Sequence, residues 1–234
     1  IVPYIKTVTL QGGEPLFIKN QYKLLDKLVQ MEVSENIVID MNTNGTMLGV
    51  GKYNILDYVK KFKQLQICIS LDGVGKYNEY IRRRSLWNDI DNNINTLIRI
   101  NNEISNKMME DLEGIENKID ISVFSTVSLL SILRMDKLID WCKDKGLTQT
   151  LFVVDDPAEL SVSNLPESIK KELRIRYSNN KLLLSAIDNK ETNSDYDEKT
   201  NFSRAIKYIK KTDKEYNTDV FEIYPELRNN LWQN

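Results

Sequence analysis

The sequence predicts an α/β fold with a parallel sheet, closed into a barrel or left as an open barrel. Five short runs rich in β-branched residues read as strands, at residues 7–10, 37–40, 66–71, 119–127 and 149–154. Stretches with apolar residues at helical spacing separate these runs. This alternation favours right-handed crossovers and a parallel sheet whose outer face is covered by helices.

The helical stretches follow the strands in order along the chain. Their apolar positions are Tyr22, Leu25, Leu28 and Val29, then Ile55, Val59 and Phe62, then Trp87, Ile90, Ile94, Leu97 and Ile98, and then Met135, Leu138, Ile139 and Cys142. Later helical patterns begin at Pro166 and around Phe202. We therefore expect a barrel domain over residues 1–157 and a mainly helical extension over 158–234 that packs on it.

Composition excludes several classes of function. The chain has 32 basic and 34 acidic residues and a net charge of -2. It therefore has no strong electrostatic field that would favour binding to nucleic acid or to a membrane surface. No apolar run approaches the roughly 20 residues of a membrane span, and no signal peptide is evident, which predicts a cytoplasmic protein. The absence of histidine excludes Ser-His-Asp, Cys-His and histidine-ligated metal chemistry.

Small polar residues and glycine follow three consecutive predicted strands. The three segments are Gly12-Gly13-Glu14-Pro15, Asn42-Thr43-Asn44-Gly45 and Ser70-Leu71-Asp72-Gly73. Each alone is ordinary turn chemistry. Functional residues of parallel α/β folds collect at the carboxyl ends of strands, so the three together indicate a binding site.

In this order the segments resemble those of the radical S-adenosylmethionine (radical SAM) superfamily. The resemblance extends over about residues 7–157 and includes Arg82, where many members place an arginine near the cofactor carboxylate. The later part, around 157–166, is more weakly similar to phage-type members with a C-terminal twitch extension. The resemblance implies a partial (βα)6-type parallel barrel of the radical SAM type, whose first strand and cluster loop are missing here.

The resemblance also implies a set of cofactor contacts. The implied S-adenosylmethionine-binding residues are Gly12, Gly13, Glu14, Pro15, Asn42, Thr43, Asn44, Ser70, Asp72 and Arg82. Backbone groups of the glycines and the Glu14 carboxylate would bind the methionyl ammonium, and Ser70 would hydrogen-bond to the ribose or carboxylate of the cofactor. As alternatives, Ser70 and Asp72 close a turn, and Arg82, in a run of three arginines, is a solvated charge.

Members of this superfamily hold a 4Fe-4S cluster through three cysteines in a Cys-x3-Cys-x2-Cys loop. This chain has only Cys68 and Cys142, which read as buried thiols, so we predict no metal ligand within it. We expect the cysteine loop upstream of residue 1, because the strand at 7–10 would otherwise expose its edge. The alternative is a degenerate member that never binds a cluster.

The predicted function is therefore a radical SAM enzyme core. With an upstream cluster loop it would generate a 5'-deoxyadenosyl radical and modify an unknown substrate, a peptide or protein being one candidate. An electron donor such as flavodoxin or ferredoxin is the implied partner. The alternative function is a non-catalytic binding or scaffold module. Asp155 and Asp156, which end the last strand, are either substrate contacts or solvated charges.

Overall fold

A computed structural model describes residues 4–110, 118–154, 156–189 and 197–230 of the chain. Asp155, one of the two aspartates that end the last predicted strand, lies outside the described residues. None of the helices in these ranges is long and apolar enough to cross a membrane.

A five-stranded sheet organises the fold and confirms the predicted α/β class. Its strands are β1 (Thr7–Leu10), β2 (Val38–Thr43), β5 (Gln64–Ser70), β6 (Ile119–Val127) and β7 (Thr148–Val153), in the spatial order β1-β2-β5-β6-β7. The first three neighbouring pairs run parallel. All five predicted strands are present. A small antiparallel pair, β3 (Gly49–Val50) and β4 (Tyr53–Asn54), was not predicted.

Eight α-helices and seven 3-10 helices lie in the described residues. The α-helices are α1 (Lys19–Gln30), α2 (Lys76–Ile81), α3 (Trp87–Glu110), α4 (Met135–Asp144), α5 (Glu167–Arg176), α6 (Lys181–Asp188), α7 (Glu198–Tyr216) and α8 (Val220–Ile223). The 3-10 helices are Pro15–Phe17, Ser34–Asn36, Ile55–Tyr58, Ser131–Arg134, Ala158–Leu160, Val162–Asn164 and Pro225–Asn230.

One predicted helix is shorter than its pattern suggested. Ile55, Val59 and Phe62 are all buried, but only Ile55–Tyr58 is helical, as a single 3-10 turn. The Asn54 side chain accepts the Leu56 N–H and starts this turn. The spacing of the apolar residues therefore reported their burial correctly and overstated the length of the helix.

The chain divides into two compact units. The first comprises Ile1–Leu71, Arg84–Phe124 and Gly146–Gln149. Its core lies on one face of the sheet, where alternate residues of β2 and β5 are almost fully buried. These are Ile39, Met41, Leu65, Ile67 and Ile69, and the buried residues of α1 and α3 in this unit include Tyr22, Leu25, Leu28, Ile90, Ile94 and Leu97. The opposite face of these strands is polar.

The second unit comprises Asp72–Arg83, Ser125–Lys145 and Thr150–Asn234. It contains residues 158–234, and the described helices α5 to α8 lie in it. The predicted division into a barrel over 1–157 and an extension over 158–234 stays a prediction. Asp213 lies at the centre of a buried network in this unit. Its carboxylate accepts hydrogen bonds from the Tyr80 hydroxyl (2.7 Å), the Thr218 hydroxyl (2.7 Å) and the Val220 N–H (2.8 Å), and it pairs with Arg83 at 3.1 Å.

Candidate functional site

The residues predicted to bind cofactor are divided between the two units. The segments at 12–15 and 42–45 and Ser70 belong to the first unit, whereas Asp72 and Arg82 belong to the second. In the first unit the segment at 12–15 follows β1, the segment at 42–45 includes the last two residues of the adjacent parallel strand β2, and Ser70 ends β5. The common direction of these strands brings their ends to one edge of the sheet.

The turn after β1 depends on Gly12. Its φ of 144° is disfavoured for other residues, and a β-carbon there would lie 2.7 Å from the Ile18 Cδ1 atom. Gly13 has no neighbouring atom within 4 Å of the position that a β-carbon would take. It is also exposed. Gly12 is therefore needed to form the turn, and the space beside Gly13 allows a ligand to approach the backbone closely.

Glu14 fastens the end of β1 to the end of β2. Its Oε1 accepts the Thr43 hydroxyl at 2.7 Å and the Leu16 N–H at 3.2 Å, and its Oε2 accepts the Asn44 N–H at 2.8 Å. Through the bond to Leu16, Glu14 also caps the 3-10 helix that begins at Pro15. An ionised carboxylate has about four acceptor positions, so roughly one remains for a ligand.

The turn after β2 is built around this carboxylate. The Thr43 hydroxyl, which donates to Glu14, also accepts the Gly45 N–H at 3.1 Å. The Asn44 side chain accepts both the N–H and the hydroxyl of Thr46, at 2.9 and 2.6 Å. The polar groups of Thr43 and Asn44 are therefore largely engaged within the protein, which gives them a structural role. Their contact with a cofactor stays a prediction.

Asn42 and Ser70 differ from these residues because their side chains are unengaged. Neither makes a side-chain hydrogen bond within the described ranges, and Asn42 is exposed while Ser70 is half-buried. Asn42 pairs with Cys68, and Ser70 follows Cys68 by two residues, so the two polar side chains share a face of the sheet. They are the predicted residues that are most available to a ligand in the first unit.

The pKa of Tyr22 is raised by its buried position near this edge. Burial, and then the nearby Glu14 carboxylate, raise its pKa to about 12. Its hydroxyl donates to the Leu16 carbonyl at 3.1 Å. The phenol therefore stays protonated at neutral pH and supports the segment that Glu14 caps.

In the second unit, Asp72 and Arg82 form an ion pair. The Arg82 Nε lies 2.9 Å from the Asp72 Oδ2, and the other oxygen of Asp72 accepts the Thr126 N–H at 2.7 Å. The Asp72 N–H donates to the fully buried side chain of Asn78 at 3.0 Å. Asp72 is thus a buried carboxylate that holds Arg82. Sequence reasoning missed Asn78 because no local motif marks it.

The two cysteines do not fit an iron–sulfur cluster. Cys68 lies on β5 in the first unit, and Cys142 lies on α4 in the second. Burial raises the pKa of both thiols, that of Cys142 to about 12, whereas cluster ligands are thiolates. In the part of the chain that the structure describes, no group of three or more His, Cys, Asp or Glu residues could hold a metal ion.

The fold and these strand ends define an α/β protein with polar, glycine-containing turns at the carboxyl edge of a parallel sheet. The family model described as the Radical SAM superfamily matches residues 1–109, a segment that contains all three strand-end motifs. This match confirms the resemblance to the Radical SAM superfamily that the strand-end motifs carry in the sequence.

Solved structures with similarity to the chain include two of anSMEcpe. Native anSMEcpe with bound AdoMet and the Kp18Cys peptide is 18% identical with a TM-score of 0.43, and native anSMEcpe with bound AdoMet is 14% identical with a TM-score of 0.44. Each match covers 64% of this chain and 38% of that chain, so the similarity spans well under half of those proteins. No curated protein matches the sequence.

Proposed function

We propose that the chain is the S-adenosylmethionine-binding core of a radical SAM enzyme. The observation that carries the proposal is the superfamily match over residues 1–109, because this segment contains the three motifs from which binding was predicted. The hydrogen-bonded clamp between Glu14, Thr43 and Asn44 supports it by holding two of these motifs in a fixed relation.

The chain's own residues suggest how the cofactor is held. The exposed backbone at Gly13 and the remaining acceptor position of Glu14 suit a methionyl ammonium, because a charged donor pairs strongly with a carboxylate. The free side chains of Asn42 and Ser70 supply an amide and a hydroxyl on one face of the sheet. The roles predicted for Asp72 and Arg82 stay predictions.

In this superfamily S-adenosylmethionine supplies radical hydrogen abstraction when it is bound beside an iron–sulfur cluster. Since the described residues do not fit a cluster, we assign no step of that reaction to this chain. Enzymatic activity is proposed for the protein that also carries a cluster, and its substrate and electron donor stay open. The property that this chain can show by itself is cofactor binding.

Calorimetric titration with S-adenosylmethionine and with S-adenosylhomocysteine tests the proposal. We expect saturable binding to one site and a dissociation constant about fivefold higher in Asn42→Ala and in Ser70→Ala, since a hydrogen bond contributes about 1 kcal/mol. Thr7→Ala is the matched control, because this exposed residue lies at the opposite end of β1. Absence of binding, or equal binding by all four proteins, would overturn the proposal.

A further inference from the structure

One face of the sheet in the first unit is polar, which is unusual for parallel strands. Parallel sheets are commonly covered on both sides and have near-continuous apolar strands. In β5, buried Leu65, Ile67 and Ile69 alternate instead with half-buried Gln64, Gln66, Cys68 and Ser70. A face of this kind is suited to a polar ligand.

A single row across this face carries two carboxylates. Strand register places Thr9 beside Asp40, Asp40 beside Gln66, and Gln66 beside Asp120. We call these four residues the acidic row. Thr9 and Asp120 are exposed, and Asp40 and Gln66 are half-buried. Because neighbouring strands are about 4.8 Å apart, the backbone positions of the two aspartates are separated by roughly 10 Å.

The acidic row offers hydrogen-bond acceptors, and no cationic side chain among the described residues compensates its charge. The side-chain nitrogen of Gln66 (Nε2) donates to the side-chain oxygen of Gln64 at 3.1 Å. This leaves the side-chain oxygen of Gln66 free to accept a hydrogen bond. No cationic side chain in the described ranges forms an ion pair with Asp40 or Asp120. Lys118 precedes Asp120 by two residues, but its ammonium donates to the Lys63 carbonyl at 3.2 Å.

This pattern of charge and acceptors selects one kind of ligand group. Two carboxylates and an amide oxygen, arranged along a line, match a cation with several N–H donors. A guanidinium presents five donors in a rigid plane, whereas an ammonium is a compact point charge that is more strongly hydrated. An extended row of acceptors therefore favours the guanidinium.

We propose that the acidic row binds the guanidinium of an arginine side chain. If the proposed function is correct, this arginine belongs to the substrate, because Asn42 follows Asp40 on the same face and lies about 7 Å further along β2. The substrate class inferred is thus an arginine-containing peptide or protein. Cation binding itself is independent of whether the cofactor binds.

Titration with blocked amino acids tests this proposal without any turnover. The probes are N-acetyl-arginine methylamide, its lysine counterpart and, as an uncharged control, its norleucine counterpart. We expect the arginine probe to bind the wild-type chain more tightly than the lysine probe and the norleucine probe not to bind. In Asp40→Asn and in Asp120→Asn, the dissociation constant of the arginine probe should rise at least about tenfold, because hydrogen bonds to charged groups are stronger than those between neutral groups.

Two controls separate the possible causes of failure. Glu35→Gln removes one exposed negative charge away from the sheet face and should leave binding of the arginine probe unchanged. S-adenosylmethionine should bind the two aspartate variants as it binds the wild type. Failure of the wild type to bind S-adenosylmethionine would count against the proposed function and not against the acidic row, which the arginine probe tests separately.

Three results would overturn the acidic row as an arginine site. They are failure of the arginine probe to bind the wild type, equal binding of the arginine and lysine probes, and binding that both aspartate variants retain. Far-UV circular dichroism of each variant shows whether it has folded. Because both substitutions are isosteric on a polar face, we expect them to leave the fold intact.

Discussion

Replacement of Thr43 by valine tests whether the ends of β1 and β2 are held together as the structure shows. Valine has nearly the shape of threonine but lacks the hydroxyl. The change removes the 2.7 Å bond to the Glu14 carboxylate and the 3.1 Å bond from the Gly45 N–H. Because Thr43 is only 4% exposed, water cannot readily replace either partner.

The expected loss of stability follows from these two bonds. A hydrogen bond to a charged group contributes about 2 kcal/mol, and an N–H left buried without a partner costs about 1 to 2 kcal/mol. We therefore expect Thr43→Val to lower the free energy of unfolding by about 3 kcal/mol. Thr43→Ser keeps the hydroxyl and should cost less than half of this amount.

Urea denaturation followed by circular dichroism measures the difference. Glu14→Gln in the wild-type and Thr43→Val backgrounds completes a double-mutant cycle, in which we expect a coupling energy of at least about 1 kcal/mol. Thr7→Val, on the exposed part of β1, is the control and should change stability by less than about 0.5 kcal/mol. Equal stability of the valine and serine variants, or additive effects in the cycle, would refute the clamp.

Two further predictions concern the second unit. Burial raises the pKa of Cys142 from an ordinary value near 9 to about 12, so the stability that this thiol contributes is present below pH 9 and is lost as the pH rises towards 12. The loss by pH 10 should be about 1.4 kcal/mol in urea titrations, and Cys142→Ala should flatten this dependence; an unchanged slope would contradict the shift. Asp213→Ala should cost about 3 to 5 kcal/mol, because it leaves the Tyr80 hydroxyl and other buried donors unpaired. Asp188→Ala, which breaks an exposed pair with Arg174, is its control and should cost less than about 1 kcal/mol; equal losses would show that the Asp213 network contributes little.

The strands were predictable because burial on one face leaves a clear mark in the sequence. The end of β2 was less predictable: the strand continues to Thr43, whereas the predicted strand ended at residue 40, before the polar segment at 42–45. Met41 and Thr43 continue the buried face, so Asn42 is an alternating, outward residue of the strand. The β3–β4 pair was missed because two-residue strands are too short to show a period.

The motifs of the site were predictable from the sequence. Which of their side chains hydrogen-bond within the protein, and which do not, was not predictable. Sequence alone assigned Glu14 and Thr43 to the cofactor on equal terms with Asn42 and Ser70. The register that places Leu10 beside Met41 brings Glu14 within hydrogen-bond distance of Thr43 and Asn44, and such contacts between segments about 30 residues apart leave no local pattern. The structure therefore shows that Glu14 accepts hydrogen bonds from Thr43 and Asn44, whereas the side chains of Asn42 and Ser70 are unengaged among the described residues. The contacts of all five with a cofactor stay predictions.

The acidic row, in contrast, has a pattern in the sequence that can be interpreted once the order of the strands is known. The run Gln64–Ser70 alternates polar and apolar residues, which for a solitary strand would indicate only a surface position. In a strand with parallel neighbours on both sides, the same alternation shows that one face of the sheet is polar, which is unusual for a parallel sheet. Asp40 and Asp120 acquire their meaning in the same way, since only the register of β2, β5 and β6 shows that the two charges share one row and that Gln66 lies between them.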